Sequence, residues 1–194
     1  MQVSGRTDGG TTAVEPAAGP DMLQMTRVQR LRRVVLLCCH FGRNLAYYRA
    51  GWLGGSLVRD SDFWKTVNGN FLDLAVLEWC KLLGDEKANH YWRKIVSAPS
   101  KFEAGLLACL DLTVNNLKAY RIEMRSYRDR FVAHLDLDFT MHIPNLHVAK
   151  AAVEYYHSHV VEHELGPGDL TGLPTSFSDY YHQCSSEGAR VYGG

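Results

Sequence analysis

Ten consecutive residues concentrate the chemistry of this chain: Tyr127-Arg128-Asp129-Arg130-Phe131-Val132-Ala133-His134-Leu135-Asp136. Arginine presents a planar fork of donors that matches phosphate oxygens, and it keeps its charge. Histidine, with an ordinary pKa of about 6.5, takes up and returns a proton near neutral pH. Arg128 and His134 together suit reaction at an RNA phosphate, with Asp129 beside them to orient either side chain. The spacing argues against both acting on one atom from a regular helix. Six residues leave Arg128 and His134 about 120° apart on an ideal helix. His134 falls on the apolar seam with Tyr127 and Phe131, and Arg130 is its nearer helical neighbour. Joint action therefore needs a distorted helix or a second chain. The plain alternative is a core or interface histidine, with Arg128 a surface cation near a helix C-terminus, where the dipole favours it.

Arg-x5-His, with a polar residue directly after the arginine, resembles the Arg-x4–6-His motif of the HEPN superfamily (higher eukaryotes and prokaryotes nucleotide-binding). The wider string is similar to that of the abortive-infection U-type (AbiU-like) branch, where a YRD-basic-x-x-AHLD string closes a helix. The segment Asn70 to Leu83 also resembles that branch's hydrophobic central helix, with Glu78 and Lys81 as its acidic-then-lysine pair. As a helical pattern the resemblance spans about residues 25–165; its specific part is the ten-residue motif.

The resemblance implies an all-α bundle that forms a homodimer and brings two motifs together. It implies a metal-independent endoribonuclease with no cofactor, of the kind found among toxins and phage-defence effectors, with RNA as substrate. In that mechanism His134 takes the proton from a ribose 2′-hydroxyl, which attacks the adjacent phosphate and leaves a cyclic phosphate. Arg128 holds the charge that develops on the non-bridging oxygens, and Asp129 orients. Tyr127, Glu78 and Lys81 take supporting places. The second protomer supplies the other Arg and His, as two-fold symmetry allows. An antitoxin or regulatory protein is a further implied partner. Inactive HEPN domains exist, so the alternative is a non-catalytic HEPN-fold module that binds a protein partner, RNA or nucleotide.

Other constellations have simpler explanations. Arg121, Arg125 and Arg128 lie at i, i+4 and i+7, a stripe that with Arg130 can guide RNA phosphates or can be a solvated face. Arg27, Arg30 and Arg33 form a second basic set, better read as a solvated face. Glu78 and Lys81, at i and i+3, make an intrahelical ion pair. Glu154, His157, His159 and His163 gather metal-ligating types near one helix end. A carboxylate-bridged di-metal bundle needs a second Glu-x-x-His, and the chain has none, so no metal is expected.

The elements that must hold the motif read as an up-and-down helical bundle of four to five helices, HEPN-like, with disordered or extended termini. Residues 1–20 read as a flexible tail, 21–165 as the bundle domain and 166–194 as a loop-rich tail. Asp21 is placed to cap a helix over about 22–49, whose seam is Leu31, Val34, Cys38, Phe41, Leu45 and Tyr48. Ser61 or Asp62 caps a second helix that runs to about Gly84 and is apolar almost all round over Phe71 to Leu83, broken only by Asp73, Glu78 and Lys81. A short helix is expected over 87–96, stopped by Pro99; others follow over about 100–110, 113–134 and 145–165, the last with Pro144 in its first turn. No strand-turn-strand pattern stands out.

Composition sets the frame. The 194 residues carry 21 basic and 21 acidic side chains, which excludes a general basic coat for nucleic acid. The longest apolar run, Val34 to Cys39, is far short of the roughly 20 residues that cross a bilayer. Five cysteines, none in a Cys-x-x-Cys pair and most in apolar stretches, fit reduced buried thiols. The first residues lack a secretory pattern, so a cytoplasmic protein is expected.

Overall fold

The computed structural model describes residues 25–132 and 142–193. Among these the protein is all-α, with seven α-helices and one two-residue hairpin. The expected cap at Asp21 and the tail over 1–20 lie outside the described residues. The first helix, α1 (Arg27–Ala50), starts later than its apolar period suggests, because Thr26 and Gln29 form a reciprocal capping box. The predicted seam is real: Leu31, Val34, Cys38, Phe41 and Leu45 are buried, and Tyr48 is half-buried.

The loop after α1 holds a hairpin that the sequence reading missed. β1 (Trp52–Leu53) pairs antiparallel with β2 (Ser56–Leu57). Gly54 and Gly55, at φ 58° and 84°, supply the left-handed pair that a tight two-residue turn demands. Ser61 then caps α2 (Asp62–Trp79), as expected, and accepts from the Trp64 amide. A π-helical turn over Cys80–Gly84 completes it.

The expected helix over 87–96 shrinks to one turn, α3 (Trp92–Ile95). Pro99 does not stop a helix but begins one: α4 (Pro99–Leu110) has it at the first position, where its missing N–H is harmless. Thr113 caps α5 (Val114–Tyr127), and a π-helical turn over Arg128–Val132 extends it. In α6 (Leu146–His159) the cap is Asn145, so Pro144 precedes the helix instead of sitting inside it. Another π turn, Val160–Glu164, ends α6.

The loop-rich C-terminal tail is corrected by α7 (Phe177–Gly193). Its buried residues Phe177, Tyr181, Cys184, Gly188 and Tyr192 recur at helical steps. It lies along α1 with almost no gap. A Cβ on Gly42 would stand 2.9 Å from Phe177, and one on Gly188 would stand 2.8 Å from the Ala50 Cβ. The order of these contacts makes α7 parallel to α1. α2 runs antiparallel to it, with Asn68 bonded to the Tyr48 carbonyl at 2.9 Å.

The core is one continuous cluster built on α1 and α2. Trp79 is wholly buried and meets Tyr120 edge-on at 5.4 Å, which locks α2 to α5. Trp92 stacks on Phe102 at 5.0 Å and fixes α3 on α4. Burying rings of this size is worth on the order of 3 kcal/mol each. Cys38, Cys39, Cys80 and Cys184 are buried free thiols, and Cys109 is an exposed one. No helix among the described residues is long and apolar enough to cross a membrane.

Candidate functional site

The end of α5 and the end of α2 come together. Arg128 opens the π turn beyond α5, at the place where regular helix geometry fails. Its Nε donates to Asp129 Oδ1 at 2.8 Å, and its Nη1 lies 3.8 Å from Asp85 Oδ2. The Asp129 bond, with the nearby Asp85 charge, holds the guanidinium above its ordinary pKa. About a fifth of the side chain stays open to solvent. Departures of this type from the α-helical ladder occur often at functional positions.

One residue earlier, the Tyr127 hydroxyl donates to Asp73 Oδ1 at 3.1 Å. Burial raises the Asp73 carboxyl, and the Tyr127 bond partly lowers it again. Cys80 sits beneath this corner, its thiol 3.8 Å from the Met124 carbonyl. Burial pushes that thiol up to about 11, although the charges of Arg128 and Arg125 pull it down. Cys80 is thus a shielded thiol and not a nucleophile.

Glu78 and Lys81 form the expected ion pair at 3.1 Å. Glu78 is buried and its second oxygen, Oε2, has no hydrogen-bond partner among the described residues. Burial lowers the pKa of His40, and Arg43 adds to the effect, while Glu78 works against it. His90 is lowered by burial and then by the charges of Arg33 and Lys81. Asp73, Asp85, His40 and His90 were not among the sequence-derived candidates. Of the three polar breaks in the greasy stretch, Asp73 was the available signal, since it marks the point where α2 meets Tyr127, whereas Glu78 and Lys81 pair with each other.

The arginine stripe divides. Arg125 and Arg128 both act on the Cys80 thiol. Arg121 turns toward α3, its guanidinium carbon 5.9 Å from the Tyr91 ring centre and 5.8 Å from that of Trp92. Its Nε and Nη2 are buried and lack partners among the described residues. Arg130 is exposed. In the first-helix set, Arg27 is structural: it pairs with Glu164 and donates to the Ile95 carbonyl. His134, the proposed proton acceptor, lies outside the described residues, as do Ala133, Leu135 and Asp136.

Of the histidines near the end of α6, His159 and His163 meet while His157 stands apart. His157 is fully buried toward α7, 5.9 Å from the Phe177 ring. His159 packs on the other side, 4.9 Å from Phe102 and 4.9 Å from His163. Burial lowers the pKa of both His157 and His159. Among the described residues no group of three or more His, Cys, Asp or Glu side chains is arranged to hold a metal ion.

What the corner at Arg128 can do follows from these distances. It presents a permanently charged fork, backed by two carboxylates, where α5 gives way to the π turn. An anionic oxygen can compete there with Asp129 for the guanidinium. No family model matches the chain. Nor does any curated protein or any solved structure match it.

Proposed function

We propose that the protein is a HEPN-type, metal-independent endoribonuclease of the toxin or phage-defence class, cutting RNA at a site shared between two protomers. The observation that supports this reading is the position of Arg128. It opens a π turn at the end of α5, partly exposed and oriented by Asp129 at 2.8 Å. In the reaction His134 accepts the 2′-hydroxyl proton as the 2′-oxygen attacks phosphorus. The 5′-oxygen leaves with a proton from the imidazole of the second protomer. The products are a 2′,3′-cyclic phosphate and a 5′-hydroxyl. Arg128 carries the charge on the non-bridging oxygens, worth roughly 10²- to 10³-fold in rate for one well-placed donor.

One observation favours a second reading. Arg128 already bonds Asp129 and faces Asp85. A guanidinium committed to its own chain suits a HEPN-fold module that binds protein, RNA or nucleotide without cutting.

Incubation with mixed single-stranded and structured RNA in EDTA separates the two. Cleavage by wild type alone, with cyclic-phosphate ends, and none by His134→Ala or Arg128→Ala, is the expected result. Full activity in His134→Ala, or a need for a divalent ion, overturns the endoribonuclease. RNA retention without cleavage supports the binding module.

A further inference from the structure

At the opposite end of α2, five aromatic rings line one cavity of about 290 Å3: Tyr47, Phe63, Trp64, Phe71 and Tyr192, with the exposed residue Glu187 at its edge. Phe63 and the Arg128 corner are served by opposite ends of the same helix. Phe63 and Lys81 are separated by about 27 Å at 1.5 Å per residue. Nothing in the proposed endoribonuclease uses this cavity.

The rings meet at steep angles and so form walls instead of a flat stack. Tyr47 meets Phe71 at 5.2 Å and 60°. Phe63 meets Trp64 at 5.4 Å and 83°, and Trp64 meets Tyr192 at 5.1 Å and 51°. The face of an aromatic ring carries partial negative charge. Trp64 already attracts one cation: the Arg59 guanidinium stands 5.0 Å from its centre, and Arg59 does not line the cavity. Glu187 is held in place by the Tyr47 hydroxyl, which donates to Oε2 at 2.7 Å. Among the described residues no Lys, Arg or His lines the cavity; Arg43 is felt there, its charge acting on the Tyr47 phenol from outside the lining.

Aromatic walls with a carboxylate at the edge select a particular ligand chemistry. A neutral apolar guest would gain the ring contacts but nothing from the Glu187 charge at the cavity's edge. A primary ammonium is strongly hydrated and enters an apolar box at a loss. Methyl groups on the nitrogen spread the charge over a surface that fits the rings, which is how quaternary ammonium groups are recognised. We propose that this cavity binds a small molecule bearing a quaternary ammonium head, seated among the five rings with Glu187 as its counter-charge.

Titration of the full chain with choline tests this, with 3,3-dimethyl-1-butanol as the neutral isostere of the same shape. Calorimetry should show one saturable site and about tenfold weaker binding of the neutral compound, a ratio within reach of desolvated cation–π contacts. Glu187→Gln keeps the shape and should weaken choline severalfold without changing the neutral compound. Phe63 is two-thirds exposed, so Phe63→Leu should weaken choline while the fold survives. Equal affinity for the two compounds overturns the proposal, as does the absence of saturation by about 10 mM, a concentration at which even a weak site with millimolar Kd fills. It also falls if sedimentation finds a dimer that Phe63→Ser dissociates while choline has no effect, since a second copy would then cover the cavity.

Discussion

The phenol of Tyr127 donates to Asp73 Oδ1 at 3.1 Å and so fastens the last regular turn of α5 to the middle of α2. Burial and the Asp73 charge both raise the phenol's pKa, so it stays a donor across the physiological range. Tyr127→Phe should lower stability by about 1–2 kcal/mol, because a half-buried carboxylate loses a donor. Asp73→Leu alone should cost a similar amount. The double variant should cost less than the sum, since neither orphan remains. Urea unfolding of all four proteins measures this, and strict additivity would show that the bond contributes nothing.

The buried His157 makes stability depend on pH. Its folded pKa lies below its ordinary value because burial penalises the imidazolium. The unfolded chain then binds more protons between the folded value and about 6.5, so stability rises with pH across that window. Below about 6.5 the protein should lose stability as pH falls. His157→Gln should flatten that part of the profile, whatever it costs at neutral pH. Urea midpoints at several pH values check it; a slope unchanged by the substitution would move the cause to His40, His90 or His159, which burial lowers in the same direction.

The seam between α1 and α7 leaves no room at Gly188. A Cβ there meets the Ala50 Cβ at 2.8 Å, and Ala50 cannot rotate away. Gly188→Leu should therefore force α7 off α1 and cost about 1–3 kcal/mol or more. Limited proteolysis should then release the segment that α7 occupies. A protein as resistant to protease as wild type would place α7 elsewhere in solution.

The proposed phosphate contact at Arg128 asks for a fork, not only a charge. Arg128→Lys should lose nearly as much RNA cleavage as Arg128→Ala, because an ammonium cannot match two oxygens from one plane. Asp85→Asn should change the rate far less, since its oxygen lies 3.8 Å away and holds the guanidinium weakly. Single-turnover rates distinguish these outcomes. An Arg128→Lys variant with the wild-type rate would remove Arg128 from the reacting centre.

Helices with a clean apolar period were readable before any coordinates. α1 and α5 show their seams in Leu31 to Leu45 and Leu117 to Tyr127. α7 was hidden, although Phe177, Tyr181, Cys184, Gly188 and Tyr192 keep step. In the sequence, residues 166–194 read as a loop-rich tail. Gly188, a poor helix former, sits there because α1 comes too close for any side chain. Boundaries failed where capping chemistry outranked hydrophobic period: Thr26 with Gln29 starts α1, and Asn145 starts α6. The Gly54-Gly55 pair is a legible turn signal, but two-residue strands carry no alternation that would mark a hairpin around it. At the candidate site the motif spelled out Arg128 and Asp129. The partners Asp73 and Asp85 come from a stretch of chain far earlier in the sequence, and only packing brings them in.

Among the described residues π turns follow three α-helices, over 80–84, 128–132 and 160–164. In the first the Asp85 amide closes back to the Cys80 carbonyl at 2.8 Å, and in the third the Leu165 amide reaches the Val160 carbonyl at 3.1 Å. Such a turn holds one residue more than the α-helical turn it replaces. Leu82 and Leu83, both in the core, are carried by the first of these widened turns. The extra residue is therefore accommodated while the Cys80 and Val160 carbonyls keep a backbone donor, so each of these two chain ends leaves the helix with its terminal acceptor satisfied.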